Sequence, residues 1–258
     1  MQWVDDGRLI LSREDYATLG ESDFGMPGLE ATETIGPFVE CQGSGPLIMV
    51  HDALVEPRLG IGHHPHRMNE RLFYMLRGSL DHDDALNGIT GHMGEHDLGR
   101  LTEGRRGMYH KEWNNGDEQT RAFILVYQTD PVPPLASFAA LRDHEAPRYD
   151  EAPGVRTKEL VGPQSPLEVN GDIRLYTDST FEEGATLIAP RPPDASLMLF
   201  PVEGAFQVDD AKLGQSETLL LTPDSGAESI RITGEGRLLR VLHGAGNGVE
   251  LGRPYQRG

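Results

Sequence analysis

Residues 62–82, GHHPHRMNERLFYMLRGSLDH, place three of the chain's ten histidines within four positions, directly ahead of an apolar run that reads as a β-strand. In an extended strand alternate residues face the same way. His64 and His66 therefore project from one face, while His63 and Pro65 point elsewhere or belong to the entering loop. The same geometry recurs in GMYHKEWN (107–114), where His110 and Glu112 share a face with Met108, and Tyr109, Lys111 and Trp113 take the other. The second pair lies 44 residues beyond the first (110 − 66), a distance suited to a return across a small antiparallel barrel.

Outward from these two stretches, thirty-one glycines and eighteen prolines cut the chain into short pieces. Few windows hold the 3.6-residue apolar period long enough for a sizeable helix. Strands are expected over 45–56, 71–82, 107–114 and 120–130, with Asn87-Gly88 and Asn115-Gly116 as turns. A second set follows in IRLYTDST, ATLIAP, SLMLFPVEGAFQVDD, ETLLLTP, ESIRIT and RLLRVLHG. Between the sets, residues 130–154 read as a proline-rich connector in which LASFAALRDHE is expected to form a helical turn or two. LFYMLRGSLDHDD (72–84) and LMLFPVEGAFQVDD (197–210) share a strand, charge, glycine, strand pattern, which points to a duplicated β-architecture. The expectation is an all-β chain of two tandem antiparallel barrels or jelly rolls with few short helices, divided into residues 1–135 and 136–258.

Lys and Arg total 23 against 41 Asp and Glu, giving a net charge of −18. Nothing resembles the basic stripe that a phosphate backbone requires, so direct nucleic-acid binding is excluded as an expectation. The acids of MQWVDDGRLI stand where a signal peptide carries bases, and no apolar run reaches the roughly 18 residues needed to span a bilayer. A soluble, cytoplasmic protein without a membrane partner is expected. The single cysteine, Cys41, allows no intramolecular disulfide and reads as a small buried hydrophobe.

His64, His66, His110 and Glu112 together offer three imidazoles and a carboxylate, a donor set that suits Fe, Mn, Ni, Cu or Zn and leaves coordination positions open. His82, His92 and His96 sit among turn formers and read as solvated loop residues, and His51 reads as a strand histidine satisfied by a neighbour. Beyond the linker's His144 the second half holds only His243, so metal binding is expected in the first half alone.

The stretches HPHRMNERLFYMLRG (64–78), DLGRLTEGRRGMYHKE (97–112) and APRY (146–149) resemble the pirin family of bicupins, over roughly residues 35–245. The resemblance implies an N-terminal cupin holding one divalent transition metal, Fe(II) first among the candidates, through His64, His66, His110 and Glu112, and a C-terminal cupin without ligands. It also implies a pirin-type quercetin 2,3-dioxygenase acting on a small aromatic substrate, with Glu112 or a water on the metal taking the proton of the substrate hydroxyl. Phe73, Tyr74, Met108, Tyr109 and Trp113 are apolar enough to line the pocket, and Arg67 would meet an anionic group or a rim carboxylate. Two other readings keep the same ligands: an iron-binding redox sensor that docks on partner proteins, and a metal-dependent isomerase or lyase. The chain departs from the family pattern at GRRG (104–107), which carries an extra arginine, and at Met68-Asn69, where family members commonly have Gly-Phe. Glu70 is expected beside the ligands rather than among them.

Overall fold

The computed structural model describes residues 1–255. Twenty-two strands, one four-residue helix (Glu21–Phe24) and two 3-10 turns make up the regular structure of the described residues, and the strand pairs that frame the site and the second sheet run antiparallel. The all-β expectation is met.

The first half builds two sheets. Seven strands of the larger lie in the spatial order Ser137–Leu141, Leu98–Thr102, Asn69–Arg77, Thr120–Gln128, Leu47–Val55, Leu29–Ile35 and Ala17–Leu19. The smaller holds Ile89–Met93, Leu80–Asp84, Met108–Trp113 and Gly60–His66. The second half forms one nine-stranded sheet around three long strands, Ile173–Pro190, Ala195–Val208 and Ser229–Gly244. The stretches IRLYTDST and ATLIAP, separate strands on paper, are one strand broken by a bulge at Phe181/Ala185. Such a bulge bends a long strand, and this sheet wraps a core that includes Phe181, Leu199, Phe206 and Ile232.

The run LFYML (72–76) is apolar without alternation because both of its faces are buried. Leu72, Tyr74 and Leu76 enter a cluster shared with Tyr176, Met198 and Phe200 of the second half, whereas Phe73 and Met75 face the interior of the first. FIL (123–125) divides the same way, with Phe123 and Leu125 at the seam and Ile124 inward. Each fully buried side chain of this size contributes roughly 1.5–3 kcal/mol, so the seam is a core in its own right. The Tyr74 hydroxyl donates to Asp178, which also accepts from Arg237 Nη2 at 2.7 Å, adding a polar clasp. Cys41 is buried at the seam, where desolvation pushes its thiol up to about 12.

The halves exchange terminal segments. Arg8–Leu11 pairs with Thr218–Leu221 in the second sheet, and Val249–Leu251 pairs with Cys41–Ser44 in the first. A cut at 135/136 therefore does not separate the sheets. The helical turn expected in LASFAALRDHE is instead the strand Ser137–Leu141, which pairs with Leu98–Thr102. Phe138 explains the preference: extended backbone lays its ring flat against His82, with centroids 5.4 Å apart and planes 10° apart. Among the described residues no helix is long and apolar enough to cross a membrane.

Candidate metal centre

The strands Gly60–His66 and Met108–Trp113 pair so that His64 stands directly opposite His110 and His66 opposite Met108. Alternation then brings His64, His66 and His110 into mutual contact, with ring centroids 4.7, 4.6 and 5.1 Å apart. One ligand nitrogen from each lies within 4.8 Å of the others. His63 points away and stacks on exposed Tyr109. Between His110 and Glu112 the register shifts, since Glu112 pairs with Ile61, and the extra residue of the first strand bulges at Gly62/His63. Gly60 permits the close approach there, because a Cβ on it would sit 2.2 Å from the Glu112 carbonyl oxygen. Gly107 supplies the φ of +82° that turns the chain into the second strand.

Hydrogen bonds set which nitrogen of each ring is free. His64 Nδ1 donates to the Gly62 carbonyl at 2.8 Å, and His110 Nδ1 donates to Glu112 Oε1 at 2.7 Å. Both rings thereby present Nε2, the arrangement that a carboxylate or carbonyl partner imposes on a metal-binding imidazole. His110 Nε2 is buried with no hydrogen-bond partner, a costly state that a cation would relieve. His66 is held in the opposite sense. Its Nδ1 accepts from Arg71 Nη2 at 2.8 Å while Arg71 Nε donates to Glu103 at 2.7 Å. A neutral His66 in that bond carries its proton on Nε2, so ligation by Nε2 requires Arg71 to let go. With that one adjustment, the residues fit a divalent transition metal.

Glu112 lies at the edge of this group. Its Oε1 accepts from His110 and also from His82 Nδ1 at 2.9 Å, and His82, His110 and Glu112 form a second candidate cluster. Burial alone would raise the Glu112 pKa, but the two imidazole donors outweigh it and hold the carboxyl well below the usual range. His82 corrects the loop expectation: it is 2% exposed, on the strand Leu80–Asp84, opposite Glu112. Its signal was the period-two burial of Leu80, His82 and Asp84, masked by the turn-like composition of LDHDD.

The histidine group opens onto a cavity of about 360 Å³, lined mainly by apolar side chains that include Phe24, Met26, Ile61, Phe73 and Ile124. Of the five residues expected to line a pocket, Phe73 does so. Tyr74 is at the seam, Met108 in the core, Tyr109 is exposed, and Trp113 is not part of the lining. Arg67 is exposed and outside the lining, as are Arg105 and Arg106 of GRRG, whose backbone N–H groups donate to Pro133 and Pro134. Glu70, expected beside the ligands, is instead a strut: it is fully buried and accepts from Tyr127, Thr102 and Asn170. His51 is satisfied by a neighbour, Glu33.

The Pirin family model matches residues 21–127, the stretch that contains every residue of the histidine cluster. A Pseudomonas aeruginosa protein, provisionally named a quercetin 2,3-dioxygenase, is 24% identical over 257 residues, spanning 94% of this chain and 82% of that one. The crystal structure of the Escherichia coli pirin YhhW in complex with nickel(II) superposes with a TM-score of 0.75 at 15% identity, covering 92% of this chain and 99% of the other. That of quercetin 2,3-dioxygenase from Acinetobacter baumannii gives 0.76 at 19% identity, covering 93% and 79%. At such identities the likeness is one of fold. Residues 21–127 thus form a Pirin domain, set in a chain whose fold is that of the solved pirin structure.

Proposed function

We propose that the chain is a metal-dependent oxygenase of the pirin type that opens a flavonol-like enol aromatic with O2. One observation carries the reading: three imidazoles converge at one end of an apolar cavity of about 360 Å³. A pocket of several hundred Å³ is what a small-molecule enzyme needs, whereas a redox sensor can work without one. His64, His66, His110 and Glu112 would hold a single metal, with Fe(II), Ni, Cu, Mn and Zn all compatible with the donors. Such a metal supplies a Lewis-acidic centre for the substrate hydroxyl and, if redox-active, a route for electrons to O2.

The chain's own residues divide the remaining work. Gly62 and Glu112 orient His64 and His110 through their Nδ1–H groups. Phe24, Met26, Phe73 and Ile124 exclude water from the cavity that would receive the aromatic rings. The role of proton acceptor implied by the resemblance does not suit Glu112, whose Oε1 already accepts two N–H groups and whose carboxyl is held well below the usual range by them. Glu112 acts here as an orienting or ligating carboxylate. The test is O2 consumption by protein reloaded anaerobically with iron or nickel and offered quercetin. Uptake that disappears in His64→Ala supports the oxygenase. Bound metal without uptake for any flavonol removes it in favour of the isomerase, lyase or sensor readings.

A further inference from the structure

We propose that Glu33 and His51 form a hydrogen-bond-accepting pole of the cavity, distant from the histidine cluster, which takes a hydroxyl at the far end of an elongated hydroxy-aromatic substrate. The proposal rests on the oxygenase reading and sharpens its substrate class.

Glu33 is fully buried and His51 is 8% exposed, yet both line the cavity. Glu33 Oε1 accepts the Phe38 N–H at 2.7 Å and Oε2 accepts His51 Nε2–H at 2.9 Å. Gly36 leaves room for the carboxylate, since a Cβ there would lie 2.4 Å from Glu33 Cδ. With Nε2 committed as donor to the carboxylate, the neutral imidazole keeps its lone pair on Nδ1. That atom has no hydrogen-bond partner among the described residues, and His51 lines the cavity, so it is left for whatever occupies the cavity. A carboxylate behind an imidazole strengthens the ring as an acceptor.

The sheet register gives the span. His51 pairs with Ile124, and Ile124 with Phe73, so His51 lies two strands from Phe73 in one row, or about 10 Å at ordinary strand spacing. Arg71, hydrogen-bonded to His66, is two residues along from Phe73 on the same face. The cavity thus has a metal-facing pole and a Glu33–His51 pole, with Phe73, Ile124 and Ala122 between them. A ligand that fills it carries an enol at the metal-facing end and a hydroxyl at the Glu33–His51 end.

The test compares binding of quercetin and 3-hydroxyflavone to anaerobic, metal-loaded protein by calorimetry. The two share the enol, and 3-hydroxyflavone lacks the outer hydroxyls. Wild type should bind quercetin about tenfold more tightly, the worth of one well-placed hydrogen bond, and His51→Leu should abolish that difference while leaving 3-hydroxyflavone affinity and metal content unchanged. If His51→Leu proves unstable, Glu33→Leu/His51→Phe leaves no buried carboxylate behind and carries the same comparison. A preference that survives in the variant overturns the proposal and leaves the oxygenase reading standing. Failure of metal-loaded wild type to bind either flavonol overturns both.

Discussion

Replacing His82 by Phe isolates what the second imidazole contributes to Glu112. The Phe ring keeps the flat packing against Phe138, and the His82 Nδ1–H bond to Glu112 Oε1 is lost. A hydrogen bond to a buried carboxylate is worth about 1.5–3 kcal/mol. The same substitution removes His82 Nε2, a buried nitrogen without a partner, which returns on the order of 1 kcal/mol. The single variant should therefore lose only about 1 kcal/mol. For 258 residues the unfolding entropy is near 0.5 kcal/mol/K, so its Tm should fall by about 2 °C. A double-mutant cycle with Glu112→Gln is the sharper assay, because the Nε2 contribution is common to both backgrounds and cancels. Urea denaturation of metal-free protein at neutral pH should give a coupling of about 1 kcal/mol, the difference between a hydrogen bond to a carboxylate and one to the Gln amide oxygen. Equal costs of His82→Phe in the wild-type and Glu112→Gln backgrounds would refute the claim that this carboxylate is held by His82.

Three further predictions concern other residues. Met68 sits at a φ of +83° with its side chain 43% exposed, so Met68→Gly should relieve on the order of 1 kcal/mol of backbone strain and raise Tm by about 2 °C; a lower Tm would show that the Met side chain packs usefully. Arg71→Lys keeps a cation near Glu103 but shortens the arm that occupies His66 Nδ1, so metal affinity measured by chelator competition should rise about tenfold, and an unchanged affinity would show that His66 binds metal without releasing Arg71. His243 is buried neutral, with desolvation depressing its pKa to about 4. Below the ordinary imidazole value of about 6.5 the unfolded chain binds the extra proton, so stability should fall between about pH 6.5 and about pH 4. His243→Asn should flatten that slope, and an unaltered slope would place the titration elsewhere.

The legible parts of the molecule are those where alternation and chemistry coincide. The H-x-H and H-x-E spacings fix which side chains share a face, and the register that opposes His64 to His110 completes the group. The run LFYML reads as a strand, but nothing local says that its second face packs on Tyr176 and Phe200, because that partner lies a hundred residues on. His82 and Phe138 escape a local reading for related reasons. Asp81, Asp83 and Asp84 resemble turn formers, and the alanines around Phe138 suit a helix, whereas the pairing that makes both segments strands is tertiary. Glu70 and Glu33 carry no sequence mark separating a strut from a cavity wall; their partners Asn170 and His51 decide it.

Whether His64, His66, His110 and Glu112 hold one metal at the end of the cavity is decided by elemental analysis of protein purified without added metal. Close to one transition-metal ion per chain is expected, lost in His64→Ala/His110→Ala while the β-sheet circular dichroism is retained. Metal kept by the double variant, or none in wild type after anaerobic reloading, would show that these four residues are not a metal site.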